Sequence, residues 1–180
     1  MSNTSQSDHG ARGAVRLARP EDLTALQEIE RAAGRWFAEI GMELVAADEP
    51  PSVATLGAVQ RAGRLWVWAD ADDRPLAYLM AAVIDGLAHL EQVSVHPSVA
   101  RRGIGRALLA QLARWAVANH LPAITLTTYT EVAWNGPYYE RQGFRYLAPS
   151  ELTPGLRRIR EAEAAHGLDR WPRACMRLEL

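Results

Sequence analysis

A strand that runs directly into a glycine-punctuated basic loop, and from there into a helix, restricts this chain more than any other feature. It spans His89 to Gly105, HLEQVSVHPSVARRGIG, with RALLAQLARWAV directly after it. His96-Pro97 marks the turn out of the strand. This order sets a row of backbone N–H groups and a helix N-terminus at a strand exit, an arrangement suited to a phosphate or pyrophosphate. Arg101, Arg102 and Arg106 add positive charge around it. A dinucleotide fingerprint would need a further glycine where Leu108 stands, and the Gly-Lys-Ser/Thr of a Walker loop is absent.

The hydrophobic pattern orders the rest. Ala14–Ala18 reads as a first strand, and Pro20 opens a helix with Leu23, Leu26, Ile29 and Ala33 on its apolar face. Residues 34–50 read as irregular, anchored by Trp36, Phe37, Ile40 and Met42. Ser52 caps a second helix that ends near Gly63. Strands are expected at Leu65–Ala69, Pro75–Ile84 and Leu87–Val95, the last two joined by an Asp85-Gly86 hairpin turn. The helix after the glycine loop presents Ile104, Ala107, Leu108, Leu112, Trp115 and Ala116 on one face. Ala123–Thr128 follows as a strand parallel to the fourth, because a helix separates them. Pro137 and Gly143 bracket a short helix carrying Tyr138 and Tyr139. Phe144–Leu147 is a strand. Pro154–His166 is a helix with Leu156, Ile159 and Ala162 inward, and Ala174–Leu180 is the last strand. The fold class is α+β: a mixed, mostly antiparallel sheet of about seven strands with helices on both faces.

Composition bounds the function. With 48% of 180 residues apolar, a single domain over 14–180 has enough material for a core, and the polar stretch 1–13 is expected to be a disordered tail. A net charge of −1 argues against nucleic acid as a partner. The longest apolar run, Leu76–Ile84, is too short for a bilayer, so no membrane partner is expected. The absence of a secretory pattern places the chain in the cytoplasm by elimination. Cys175 stands alone, which excludes an internal disulfide, and the five histidines show no metal-ligand spacing.

Two segments together resemble the GCN5-related N-acetyltransferase (GNAT) superfamily of acetyl-CoA-dependent acyltransferases. Val95-His96-Pro97 followed by Ala100-Arg101-Arg102-Gly103-Ile104-Gly105 is similar to that family's acetyl-CoA loop, Gln/Arg-x-x-Gly-x-Gly/Ala, with Ala100 in place of Gln or Arg. In WNGPYYERQGF, Tyr139 precedes Gly143-Phe144 at the family's spacing. Val132 stands where the family usually has Asn, so either Asn135 serves instead or the helix begins differently. The resemblance extends in layout over residues 15–147. It implies acetyl-CoA as cofactor, held by Arg101, Arg102, Gly103, Ile104, Gly105 and Arg106, with Asn135 and Tyr139 alongside. It also implies a split between strands four and five as the cofactor slot, where the backbone at Val93 and Val95 pairs with the pantetheine arm and supplies the oxyanion donor.

Acyl transfer from a thioester to an amine requires a base for the ammonium, donors for the oxyanion, and a proton for the departing thiolate. The resemblance makes Tyr139 the acid; Tyr138 points elsewhere and is the weaker choice. Glu91 is the candidate base. Strict strand alternation puts it on one face with Val93 and Val95, where apolar neighbours raise its pKa. His89 and His96 are rivals, read more readily as turn or surface residues. Trp36, Phe37, Trp134 and Tyr138 are candidate walls for an acceptor pocket, because aromatic faces hold cationic amines. Glu30 is able to order an ammonium but reads more readily as a solvated helix residue, and Arg157, Arg158 and Arg160, able to meet an acidic substrate group, read more readily as the wet face of theirs. The expected activity is acetyl transfer to a small-molecule amine in a ternary complex, with residues 34–50 and 149–173 covering the site. A protein or peptide N-acetyltransferase and a non-catalytic acyl-CoA-binding domain are the alternatives. The terminal CMRLEL strand is a candidate edge for a homodimer.

Overall fold

The computed structural model describes residues 13–180. Of the tail expected over residues 1–13, all but Gly13 lies outside the described residues, and Gly13 opens the first strand. In chain order the elements are β1 (Gly13–Leu17), α1 (Leu23–Ala38), α2 (Glu43–Ala46), α3 (Val53–Arg61), β2 (Leu65–Asp70), β3 (Pro75–Ile84) and β4 (Leu87–Val95). They continue with α4 (Ile104–Ala118), β5 (Ala123–Tyr129), α5 (Gly136–Arg141), β6 (Arg145–Tyr146), α6 (Pro154–Ala165) and β7 (Arg173–Glu179). All seven strands form one sheet in the order β1-β2-β3-β4-β5-β7-β6.

Local chemistry accounts for the boundaries. The Asp22 carboxylate accepts the Arg19 N–H at 2.7 Å and pairs with Arg16 at 2.7 Å, fixing the turn that starts α1. Ser52 Oγ accepts the Thr55 N–H at 3.1 Å and caps α3. Asp85 and Gly86 both adopt positive φ, 51° and 75°, as a two-residue hairpin turn of the primed type demands. Contrary to the irregular stretch expected from Gly34, α1 continues through it to Ala38. One glycine costs a helix about 1 kcal/mol. Extending the helix carries Trp36 and Phe37 into edge-on contact with Trp134 and Tyr129, which offsets that cost.

The sheet is covered on both sides. On one face Leu79, Leu90, Leu108, Leu112, Leu126 and Met176 pack beneath α4. On the other, Leu26, Ile29, Leu56, Val67 and Tyr78 pack beneath α1 and α3. Strand β4 pairs in parallel with β5 only over Ala88–Leu90 against Ile124–Leu126, after which the two strands part. Register between β3 and β4 also shifts here: Ala81 faces Leu90 and Met80 faces Gln92, leaving Glu91 without a cross-strand partner. This is a β-bulge, and bulges bend the strand that carries them.

Four expectations are corrected. On α6, Leu156 is buried but Ala162 is exposed; Arg160 and Glu163 turn inward instead and pair at 2.5 Å. Arg160 therefore belongs to an ion-pair network with Asp169, while Arg157 and Arg158 remain exposed. Strand β7 is an inner strand, bonded to β5 along its length and to β6 at Met176 and Arg177, so the CMRLEL edge is not free for a partner there. His89 is buried, 3% exposed, with Nδ1 3.0 Å from Thr125 Oγ1.

Candidate active site

Where β4 and β5 part, a cleft of about 1110 Å³ opens. Its walls come from α1, the bulged end of β4, the glycine loop, the end of β5 and α5. Glu91, Val93, Val95, Arg101, Gly103, Ile104, Gly105, Asn135, Tyr138, Tyr139, Trp36, Phe37 and Trp134 all line it, so the fold collects nearly every residue singled out from the sequence. Arg102 and Arg106 are exposed beside the loop and do not line the cleft. His96 caps the turn after β4, with Nδ1 2.7 Å from Ser98 Oγ.

The loop end is a concentration of unpaired donors. From Arg101 to Arg106, six consecutive backbone N–H groups have no protein acceptor among the described residues. Arg101 and Gly103 hold positive φ of 62° and 77°, which turns the chain so that these groups converge on the N-terminus of α4. The arrangement fits a pyrophosphate. Tyr138 stands over the same helix end. A side chain at Gly105 would meet its hydroxyl at 3.1 Å, which sets the Tyr138 hydroxyl beside the loop end of the cleft that it lines.

Strand β4 supplies the middle of the cleft. The His96 N–H bonds Leu76 C=O of β3, so by strand alternation Ser94 also points to β3 while the Val93 and Val95 N–H groups point to the open side. The bulge changes the side-chain parity. Leu90 lies on the α4 face with Val93 and Val95, although strict alternation would have put it opposite them. Glu91 is thereby freed from that apolar face and opens into the cleft. Burial raises its carboxyl above the ordinary carboxylate range, and Arg64 offsets this only in part.

Tyr139 faces Glu91's cleft from α5. It is 8% exposed, edge-on to Tyr138 at 5.3 Å and to Phe144 at 5.6 Å. Its hydroxyl makes no hydrogen bond to any described residue. No fully buried side-chain nitrogen or oxygen among those residues lacks a partner, so the hydroxyl is reached from the cleft. Burial pushes its pKa above that of an ordinary phenol, and it remains a proton donor. Val132, at the position where the resemblance implies Asn, packs with Met42 and Tyr129 in a small satellite core. Asn135 is the residue before α5 that lines the cleft.

Opposite the loop, Trp36, Phe37, Tyr129 and Trp134 form an aromatic cluster with centroid separations of 5.6–6.1 Å. Beside it Glu163 receives hydrogen bonds from Arg173 at 2.7 Å and from Thr127, and the Arg173 guanidinium lies 4.2 Å from the Tyr129 ring centre. Burial alone would raise the Glu163 carboxyl, but Arg173, Thr127 and Arg160 together hold it below its usual value. Glu163, Arg173 and Tyr129 carry no signal of this role in the sequence, and Glu30, which reads there as solvated, instead lines the cleft. Only Tyr78, a phenol inside an apolar strand, signalled that a polar partner such as Glu30 must be near, since buried phenols require one.

A model of the Acetyltransferase (GNAT) family matches residues 23–144. The chain belongs to the acetyltransferase (GNAT) family. It is an acetyl-CoA-dependent acetyltransferase, and the row of loop donors and the parted strands fit that cosubstrate. Solved structures with the same fold include the PaiA N-acetyltransferase of Thermoplasma acidophilum in complex with coenzyme A, at 16% identity and TM-score 0.68, covering 93% of this chain and 99% of that one. A Mycobacterium tuberculosis protein in complex with CoA matches at 19% identity and TM-score 0.67, with 93% and 99% covered. The ribosomal-protein-S18-alanine N-acetyltransferase of Escherichia coli matches at 20% identity and TM-score 0.65, with 93% of both chains covered. No helix among the described residues is long and apolar enough to cross a membrane, and no cluster of three His, Cys, Asp or Glu among them is arranged to hold a metal.

Proposed function

We propose that this acetyltransferase moves the acetyl group of acetyl-CoA to the primary amine of a small molecule, by direct transfer in a ternary complex. The observation that carries this reading is the fork itself. A base candidate on the bulge, two strand N–H groups and a phenol reached from the cleft stand around one opening. Acetyl-CoA brings an activated thioester to that opening. The N–H groups of Arg101–Arg106 hold its pyrophosphate, with Asn135 alongside. Val93 and Val95 pair with the arm as an added strand would, and a backbone N–H there faces the oxyanion.

Glu91 takes the proton of the acceptor ammonium, a task suited to a carboxylate with raised pKa. As the new C–N bond forms and the C–S bond breaks, Tyr139 gives its proton to the departing sulfur. The second proton of the acceptor nitrogen restores the phenol, and Glu91 releases the first to solvent. Trp36, Phe37 and Trp134 wall the acceptor end, with residues 34–48 on one side and 163–173 on the other. Walls on both sides favour a compact acceptor over an extended chain.

The test is CoA-thiol release with a panel of small primary amines set against short peptides bearing a free N-terminus or Lys. Turnover on small amines is expected. Turnover on peptides alone overturns the acceptor class. Acetyl-CoA binding without release for any amine overturns catalysis.

A further inference from the structure

The face of the sheet turned toward α1 fixes one carboxylate of that helix from beneath. Gln92 Nε2 donates to Ser94 Oγ at 2.9 Å. Ser94 sits directly across from Tyr78 in the β3–β4 register. Tyr78, fully buried, donates to Glu30 Oε2 on α1. Gln92, Ser94 and Glu30 all line the cleft. The other oxygen, Oε1, has no hydrogen bond to a described residue, and no fully buried polar side-chain atom among them lacks a partner, so Oε1 is reached from the cleft. Glu30 is therefore half used: one oxygen is fixed by the fold and the other is presented to whatever enters.

We propose that Glu30 is the acceptor-binding carboxylate of this enzyme, held in place by Tyr78, and that it selects acceptors carrying a positive charge. This rests on the transfer to a small amine proposed above and adds which group recognises it. A role limited to satisfying the Tyr78 hydroxyl needs only an acceptor oxygen, which an amide carbonyl supplies equally well. A charge is needed only if something cationic binds. The aromatic cluster of Trp36, Phe37 and Trp134 lines the same cleft and suits the same class of ligand. Of the cations lining the cleft, Arg173 is engaged by Glu163, and Arg31 pairs with Glu49 at 3.3 Å while its charge also reaches Glu30.

The discriminating variant is Glu30→Gln, which retains a carbonyl for Tyr78 and loses only the charge. With 2-phenylethylamine as acceptor, KM for the amine is expected to rise about tenfold to a hundredfold, the range of a lost charged hydrogen bond. The kcat stays within a few-fold, and KM for acetyl-CoA and the stabilisation by acetyl-CoA are unchanged. Tyr78→Phe leaves the charge but frees it, and gives a smaller rise in the same constant. An unchanged amine KM in Glu30→Gln, or equal rises in both KM values, overturns the assignment. A wild-type enzyme that transfers nothing to 2-phenylethylamine or to any other small amine overturns the acceptor class itself, which is a separate result.

Discussion

Replacing Tyr139 by Phe separates catalysis from folding more cleanly here than in most buried tyrosines. The hydroxyl bonds to no described residue, so its removal orphans no protein donor or acceptor, and the ring keeps its edge-on contacts with Tyr138 and Phe144. Stability should change by less than about 1 kcal/mol, because the usual penalty arises from the partner left behind. The rate should change far more. A positioned general acid contributes roughly 10²–10⁴-fold, equivalent to about 2.7–5.5 kcal/mol in the barrier. Since burial holds the phenol protonated beyond its ordinary range, the wild type should show no alkaline loss of activity from this group near neutral pH. The variant's defect should shrink as pH rises past about 8.5, where a thiol leaves readily as thiolate. The assay is thiol release across a pH series, paired with thermal midpoints with and without acetyl-CoA. Saturating ligand at about 100 times its Kd should add roughly 2.7 kcal/mol to both proteins. Turnover within threefold of wild type removes Tyr139 from the chemistry. Loss of the acetyl-CoA shift reassigns it to cofactor binding.

Other perturbations probe the scaffold. Gly136→Ala would put a methyl 2.2 Å from Tyr146 Oη and 3.0 Å from the Thr130 Cα and Tyr129 C=O, which backbone cannot yield. We expect a loss of about 2 kcal/mol, seen as a midpoint lowered by roughly 4–8 °C; an unchanged midpoint would mean that α5 shifts freely. Gly103→Val meets no neighbour within 4 Å but must hold φ near 77°, so the cost is confined to the loop. KM for acetyl-CoA should rise while the amine KM stays, and the reverse pattern would move the cofactor elsewhere. His89, with its pKa lowered by burial to about 4, binds its proton later in the folded state than in the unfolded chain, where it titrates near 6.5. Its contribution is thus present above pH 6.5 and lost as pH falls toward 4, at about 1.4 kcal/mol per unit, or roughly 2.7 kcal/mol between pH 6.5 and 4.5. Urea unfolding at the two pH values should show this slope in the wild type and not in His89→Gln; equal slopes would refute it.

Much of this was legible because it is local. The bounds of β3 and β4 follow from an apolar run, an Asp-Gly turn and a second run, and the structure reproduces both strands residue for residue. The row of free N–H groups follows from a strand, two glycines and a helix start. What escaped depends on partners distant in the chain. Gly34 reads as a break until Trp134 and Tyr129 arrive to pack on Trp36 and Phe37. Arg160 reads as solvated until Glu163 and Asp169 are placed around it. His89 and Thr125 become buried companions only once β4 and β5 are adjacent. Glu30 belongs to an amphipathic helix, and nothing in its own neighbourhood shows that Tyr78 lies beneath it.

The bulge at Glu91 is the clearest case, and it explains why a base candidate exists at all. Under strict alternation Glu91 would share a face with Val93 and Val95, beneath α4 and beside Leu79, with Leu90 turned to the other side. A carboxylate there would be unpaired in an apolar core, at a cost of several kcal/mol. One inserted residue removes that conflict. Leu90 takes the core position, the strand bends, and Glu91 emerges beside the opening with only moderate burial. The same residue marks where β5 ceases to pair, which frees the N–H groups of Val93 and Val95. The placement of the base and the exposure of the strand donors therefore have one cause. Deleting the extra residue should cost both at once: pairing with β5 would extend past Leu90, and the cleft would close where the arm of acetyl-CoA is to lie.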